Sequence, residues 1–451
     1  MRFSALETDR IAILGLGREG RAVWRQIRRR FPQKSISLFD ENPVDKGFLE
    51  SLDPRLDQCH IGSFDVQQLR KFDLLVRSAG ISPYRRELCQ LMSLGVCFTT
   101  ASSLWFAENP GAKTICITGT KGKSTTAALT THLLTCAGVK ARLAGNIGRP
   151  MLDCESSDVD WWVIELSSYQ ISDLDAEPDI VMLLNISDEH IDWHGGAGQY
   201  RADKLKLADL PRRGALIANY SDSILREYLR DHDDVLWFNQ AGRDTDGWQA
   251  GDADVIFQPG AKIYSAPASL PGQHNMQNLA AALTVVDELG LEIADLDQAL
   301  ASFTGLPHRL QSIGEKDAVS YVDDSISTTP VSVAAALRTI GTENVVLLLG
   351  GMDRGLVWRD FADGLAGQTP FAIITMPDNG PDILASLIAS HVSPTGGLHA
   401  VDSLAEAVSL AQTLVIGKGC ILLSPGAPSF PHFRDFEDRG EQFAKYSGIK
   451  K

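Results

Sequence analysis

Short, unbroken apolar runs recur along the chain: Ile11–Leu14, Ser35–Phe39, Asp73–Val76, Thr114–Thr118, Trp161–Glu165, Ile180–Asn185 and Ala215–Asn219. Four more follow at Val319–Asp323, Val345–Gly350, Ala372–Met376 and Cys420–Ser424. None shows strict polar alternation. A strand without alternation suits a parallel sheet covered on both faces rather than one with a wet face. Between the runs lie helix-like stretches, from Arg21 onward, over Thr125–Leu134, Val331–Thr339 and Leu404–Leu414. Strands alternating with helices predict open α/β sheets. The pattern breaks into three blocks, with joints near Glu108–Gly111 and near Gly305–Arg309. There is no internal repeat and no low-complexity segment.

Length agrees with this count, since 451 residues at roughly 100–200 per domain make two to four domains. The net charge of −15 argues against a nucleic-acid partner, because phosphate backbones are held by an excess of Lys and Arg. Any anionic substrate must therefore be caught by particular loops and a few placed cations. The seven cysteines (Cys59, Cys89, Cys97, Cys116, Cys136, Cys154, Cys420) form no CxxC pair and no metal spacing, which reads as reduced thiols. The N-terminal segment lacks the apolar core of a secretory signal, and no run of about 18 apolar residues is present to span a bilayer. A cytoplasmic protein without membrane insertion is expected.

Three motifs bring chemistry. The first strand runs into Gly15-Leu16-Gly17-Arg18-Glu19-Gly20, and the second ends in Asp40. Strand, glycine turn, helix, strand and acid form one βαβ unit at dinucleotide-fold spacing. Asp40 suits a ribose hydroxyl, or equally an ordinary strand-end cap. The strand Thr114–Thr118 leads into Gly119-Thr120-Lys121-Gly122-Lys123-Ser124-Thr125. Ile117 stands where the full Walker pattern has its first glycine, yet Gly-x-x-Gly-Lys-Ser keeps the working part. Its backbone N–H groups cradle phosphate oxygens, Lys123 reaches the β- and γ-phosphates, and Ser124 can bind Mg²⁺. Glu165, at a strand end, offers Mg²⁺ the hard oxygen it prefers. The segment Asn185–His194 puts two His and three acids directly after a strand, where open α/β sheets bind ligands. The turn Gly272–Asn278 is amide-rich, and its Asn side chains could read a base or cap a helix.

Together with Gly145-Asn146-Ile147-Gly148, Glu165-Leu166-Ser167-Ser168, Tyr200–Lys204, Gly305–Arg309 and Ser424-Pro425, these motifs resemble, over essentially the whole chain, the Mur ligase family of peptidoglycan precursor synthesis. The likeness is nearest to the branch that adds glutamate to UDP-N-acetylmuramoyl-L-alanine. It implies three consecutive α/β domains: a Rossmann-like UDP-sugar-binding domain over 1–108, a central P-loop ATPase-like domain over 109–305, and a Rossmann-like amino-acid-binding domain over 306–451. It implies a monomer with ATP and two Mg²⁺. Arg18, Glu19, Asp40, Ser78, Gly80 and Asn146 would hold the UDP-sugar. Gly119–Thr125, Asn275, Asn278, Arg309 and Asp324 would hold ATP. Ser124 and Glu165 would take one Mg²⁺, and His190 with a carbamylated Lys204 a second. Lys123, Glu165, His190 and Lys204 would be catalytic, and Ile326, Thr328, Arg354, Ser429 and Phe436 would meet the amino acid. The implied reaction activates the L-alanyl carboxylate as an acyl phosphate, which the glutamate amine then attacks.

The sequence departs from the glutamate-adding pattern at the acceptor end. Where that branch carries Asp-Ser-Lys-Ala-Thr-Asn, this chain has Asp324-Ser325-Ile326-Ser327-Thr328-Thr329, so a cation is missing. Gly-Gly-Asp-Gly-Lys reads Gly350-Gly351-Met352-Asp353-Arg354, and the phosphate loop has Lys121 in place of Asn. Inverting the α-carbon of glutamate while keeping its amine on target moves both carboxylates, so the anchoring cations must move too. The stretch resembles a sister branch that adds L-glutamate, later epimerised by a separate enzyme, and L-glutamate is the expectation, with D-glutamate the alternative. Two other classes compete. A dehydrogenase leaves the second phosphate loop unexplained, and a P-loop switch uses the middle block alone.

Overall fold

The computed structural model describes residues 1–147, 149–154, 158–240, 247–251, 255–258, 263–265, 270, 272–353, 355–365, 367–415 and 417–449. Its chain divides into two compact units, Met1–Phe303 and Thr304–Lys451.

In the first unit, β1 (Ile11–Leu14), β2 (Ile36–Asp40), β3 (Asp57–Ile61), β4 (Leu74–Arg77) and β5 (Cys97–Thr100) form a parallel sheet in the order β3-β2-β1-β4-β5. The order reverses between β1 and β4, which opens a crevice at their carboxyl ends. The helix Arg18–Arg30 buries Ala22, Val23 and Ile27 on one face, and its last turn carries Arg28, Arg29 and Arg30. Those cations suit the negative end of the helix dipole. A second parallel sheet holds β6 (Thr114–Thr118), β7 (Ala141–Gly145), β8 (Trp161–Glu165), β9 (Ile180–Leu183), β10 (Leu216–Asn219) and β11 (Val235–Phe238), in the order β11-β10-β9-β6-β8-β7. As the apolar runs require, β6 sends Cys116 to one core and Ile115 and Ile117 to the other. A small antiparallel sheet of β12 (Gln249–Ala250), β13 (Val255–Phe257) and β14 (Ile263–Ser265) follows.

The expected joint near residue 108 is crossed by a shared core, which joins Ile11, Ile13 and Leu74 to Cys116, Ile164 and Val181. Trp105 meets Trp162 edge-on at 5.1 Å, and the fully buried Arg77 pairs with Asp173 at 2.7 Å. The first two sheets are therefore parts of one packed unit.

The second unit is a mixed sheet of β15 (Gln311–Lys316), β16 (Val319–Asp323), β17 (Val345–Gly351), β18 (Ala372–Asp378), β19 (Leu398–Ala400) and β20 (Gly419–Leu423), ordered β15-β16-β20-β17-β18-β19. Only β15 runs antiparallel to its neighbour. Separate cores cover the two faces. Among the described residues no helix is long and apolar enough to cross a membrane.

Candidate active site

A cleft of about 570 Å³ lies over the β1/β4 crevice and reaches the central sheet, with Gly15, Arg18, Ser78, Asn146, Gln170 and Trp193 in its wall. Most expected nucleotide contacts here are already engaged within the protein. Asp40 accepts from the Leu16 N–H at 2.6 Å and the Asn42 N–H at 2.9 Å, so its carboxylate caps the glycine turn. Glu19 accepts from the Ala79 N–H at 3.2 Å and from Gln170 Nε2 at 2.6 Å. Ser78 donates to Gly15 O at 2.7 Å, and Arg18 reaches Asn146 O at 3.4 Å. Gly80 lines the same cleft and accepts from the Trp193 indole at 3.0 Å.

Asn146 carries this cleft to the phosphate site. Its Nδ2 donates to Glu165 Oε1 at 2.7 Å. Glu165 ends β8 and is 1 % exposed, and its Oε2 has no hydrogen-bond partner among the described residues. A buried carboxylate oxygen without a donor is costly, and a cation is the partner that fits an acceptor-only group.

The phosphate loop joins β6 to the helix Lys123–Cys136, so the free N–H groups of the helix start face the loop's concavity. Gly122 sits at φ +83°, and a Cβ there would lie 2.3 Å from Asn278 Oδ1. Only glycine allows both the left-handed turn and that contact. The loop is braced from outside by Asn185, whose carbonyl accepts from the Thr120 N–H at 2.8 Å and whose side chain accepts from the Lys121 N–H at 2.8 Å and donates to Lys121 O at 3.0 Å. Thr120 Oγ1 bonds Tyr200 OH at 2.8 Å. Lys123 Nζ folds back onto Gly119 O and Thr120 O, each at 2.9 Å. Ser124 and Thr125 occupy the first helical turn. A small pocket beside the loop is lined by Lys121, Gly122, Asn185, Phe238 and Asn278, and Asn278 donates to Asn275 at 3.2 Å.

Lys204 is brought to the same loop by the helix Ala197–Asp209. It is 2 % exposed, and its Nζ donates to Gly119 O at 3.0 Å. Burial, reinforced by the nearby Lys123 ammonium, pushes its pKa down to about 7. His190 stands at the start of the short helix Ile191–His194 with φ +53°, and burial lowers its pKa. Glu189 next to it pairs with Lys121. Behind them, the buried His194 bonds Asp203 at 2.6 Å and Ser168 at 3.0 Å. Among the described residues no three His, Cys, Asp or Glu side chains group as a metal site. The expected ligand set contains only two such residues, Glu165 and His190, and depends on Ser124 and a modified Lys204 for the rest.

The remaining expected residues lie in the second unit. Asp324 is buried, accepts from Ser327 at 2.5 Å, Ser424 at 2.7 Å and the Leu310 N–H at 3.2 Å, and is raised in pKa by its burial. Arg309 is exposed. The Ile326 N–H donates to His308 O at 3.1 Å, and Thr328 follows in the same turn. Ser429 is 8 % exposed, and Phe436 meets the His308 ring edge-on at 5.9 Å. Arg354 lies outside the described residues. Sequence reasoning gave no role to Asn185, Tyr200, Asp203, Arg77 or Arg439. Tyr200 and Asp203 stand within the Tyr200–Lys204 motif, and Asn185 is the polar residue closing the apolar run after Ile180.

Comparison with known proteins defines the class first. Residues 117–286 match the Mur ligase middle domain, and residues 308–427 the Mur ligase, glutamate ligase domain. The UDP-N-acetylmuramoyl-L-alanine–L-glutamate ligase of Xanthomonas euvesicatoria pv. vesicatoria is 42% identical over all of this chain and 97% of that protein. The protein of the same name from Salinispora tropica is 36% identical over 99% and 98%. Among solved structures, MurF from Acinetobacter baumannii has a TM-score of 0.60 at 18% identity, covering 97% of this chain and 91% of that one. MurC from Thermotoga maritima has 0.58 at 17%, covering 98% and 100%. These two share the fold, the family's three-domain α/β architecture. The chain belongs to the Mur ligase family. It is an ATP-dependent ligase of peptidoglycan precursor synthesis.

Proposed function

We propose that this enzyme joins L-glutamate to UDP-N-acetylmuramoyl-L-alanine through an acyl phosphate. The observation that carries the reading is the Asn146–Glu165 contact at 2.7 Å. It supports a single site running from the far end of this cleft to the carboxylate beside the phosphate loop. A UDP-sugar held over the β1/β4 crevice would extend its alanyl carboxylate toward ATP on Gly119–Thr125.

A carboxylate resists amines because it is anionic and has a poor leaving group. Its oxygen therefore attacks the γ-phosphorus, and the bond to the bridging oxygen breaks to release ADP. The neutral glutamate amine then attacks the acyl carbon, the C–N bond forms, and phosphate leaves with the C–O electron pair and the nitrogen's surplus proton. Lys123, freed from Gly119 O and Thr120 O, would turn its ammonium to the phosphates. The N–H groups of the helix start hold the transferring charge. Asn275, Asn278, Arg309 and Asp324 would bind the rest of the nucleotide. The orphaned Glu165 oxygen and Ser124 would hold one Mg²⁺. His190 and a carbamylated Lys204 would hold a second, because carbamylation turns a cation into an oxygen ligand. Bound there, Mg²⁺ supplies charge neutralisation for phosphoryl transfer.

The L-isomer is favoured by the name of relatives about 42% identical, UDP-N-acetylmuramoyl-L-alanine–L-glutamate ligase, and by Ile326 in place of a lysine. Ile326, Thr328, Arg354, Ser429 and Phe436 would line the acceptor pocket. The test is phosphate release measured with each substrate omitted in turn, and with enantiopure L- and D-glutamate separately. Release should require both the UDP-sugar and L-glutamate. Turnover indifferent to the amino acid refutes the ligase reading, and a preference for D-glutamate refutes the stereochemical one.

A further inference from the structure

The last helix, Phe436–Ser447, is capped by Asp435 and places Arg439 in its opening turns. Arg439 is completely buried. Its Nη2 donates to Ser325 O at 2.8 Å and to Ala427 O at 2.9 Å, while Nε and Nη1 have no partner among the described residues. Ser325 follows β16 and Ala427 follows β20. The third neighbouring strand, β17, ends at Gly351, where a Cβ would lie 3.1 Å from Arg439 Nη1 and 2.4 Å from Pro428 O. One guanidinium thus sits beneath the carboxyl ends of three adjacent strands, the edge at which open α/β sheets bind ligands. The turn it holds continues into Ile326 and Thr328, the loop it holds continues into Ser429, and its own helix begins with Phe436.

The arrangement is a poor way to gain stability. A buried cation with two idle nitrogens is disfavoured, and an apolar side chain of similar volume would fill the space without that cost. The carboxylate that acts on it, Asp323, already accepts from His308 at 2.7 Å and from the Ser325 N–H at 2.9 Å. What the guanidinium supplies is a rigid planar group that aims one nitrogen, Nη2, at two carbonyls at once and a positive charge behind them.

We infer that Arg439 is the positioning residue of the acceptor pocket, holding the Ser325–Thr328 turn in register with the Ala427–Ser429 loop and favouring an amino acid with two carboxylates. This rests on the reading that glutamate is the acceptor. Burial lowers the Arg439 pKa to about 10, so the group stays cationic at neutral pH.

The test uses the full chain with Arg439→Lys, Arg439→Met and Gly351→Ala, measuring KM for glutamate, ATP and the UDP-sugar, together with kcat and a circular-dichroism melt. Lysine keeps the charge but loses the rigid planar group that aims Nη2 at both carbonyls. Its glutamate KM should rise about tenfold, the equivalent of one charge-assisted hydrogen bond, while the other two KM values stay within about twofold. Methionine should raise the glutamate KM further, so that lysine is a partial rescue. Gly351→Ala keeps the Arg439 guanidinium but crowds both its Nη1 and the Pro428 carbonyl, and should also raise the glutamate KM selectively. Parallel changes in all three KM values, or a lowered melt with unchanged KM, overturn the inference. Should both Arg439 variants fail to fold, an unchanged glutamate KM in Gly351→Ala overturns it. A wild-type enzyme that ignores glutamate refutes the assigned acceptor instead, so the two failures are distinct.

Discussion

Carbamylation of Lys204 is the prediction on which the geometry bears most directly. Carbon dioxide adds only to a neutral amine. An ordinary lysine, with a pKa near 10.4, is neutral in about one molecule per thousand at pH 7.5. Lys204, buried against Gly119 O and close to Lys123, has its pKa pushed down to about 7, so about three-quarters of it is neutral at that pH. The gain in reactive form is about several hundredfold, and the shift of three to four pKa units corresponds to roughly 5 kcal/mol between the two protonation states. The sign for stability follows. Below pH 7 the ammonium is buried in the folded chain and the full cost of its desolvation is present. Between pH 7 and the unfolded pKa, the folded state is neutral while the unfolded state still holds its proton, so this contribution to stability rises with pH. Acidification below pH 7 should accordingly strip the carbamate and reduce turnover. The assay is carbon NMR of wild type and Lys204→Arg in ¹³C-labelled bicarbonate, paired with turnover in CO₂-depleted buffer. Wild type should show a carbamate resonance that Lys204→Arg lacks, and depletion should slow it reversibly. The arginine variant should lose about 10–100-fold in turnover, on the scale of damage to a metal's supporting shell. Absence of a Lys204-dependent resonance, with turnover unaffected by depletion, would refute the reasoning.

Two further outcomes are expected. Gly122→Ala must place a Cβ 2.3 Å from Asn278 Oδ1 at φ +83°, which adds about 1–2 kcal/mol of left-handed strain and displaces Asn278. The KM for ATP should rise about tenfold or more with little change in that for glutamate, and equal change in both would contradict the assignment of Asn278 to the nucleotide. Ile326→Lys restores a cation at the turn after β16 and should move the L/D-glutamate preference toward the D-isomer, whereas an unchanged ratio in enantiopure assays excludes position 326 as an anchor.

The sheets were legible wherever a strand is buried on both faces. Ile11–Leu14, Thr114–Thr118, Trp161–Glu165 and Val319–Asp323 agree with the observed strands residue for residue, because a continuous apolar run has few other uses at that length. Edge strands were not legible. Asp57–Ile61 and Ala141–Gly145 lie at sheet edges with several half-exposed positions, and their mixed composition is that of a loop. The phosphate loop was legible for a related reason. Its work is done by backbone groups, and glycine spacing records backbone shape directly.

Side chains that act through tertiary proximity leave no such record. Nothing in the spacing of Asn146 and Glu165 tells that an amide closes on a carboxylate and leaves its second oxygen bare. Asp40 shows the converse, since a strand-end acid reads the same whether it awaits a ribose or caps its own turn, and its bonds to Leu16 and Asn42 appear only in the fold. The acceptor end combines both situations. The missing lysine at Ile326 is visible by resemblance because it changes a residue within a motif. Arg439 lies more than a hundred residues from Ser325 in the chain and becomes relevant only once β16, β20 and β17 are adjacent. A specificity change could therefore be suspected from the turn itself, while the group that holds that turn against its neighbouring loop had to be found in the fold.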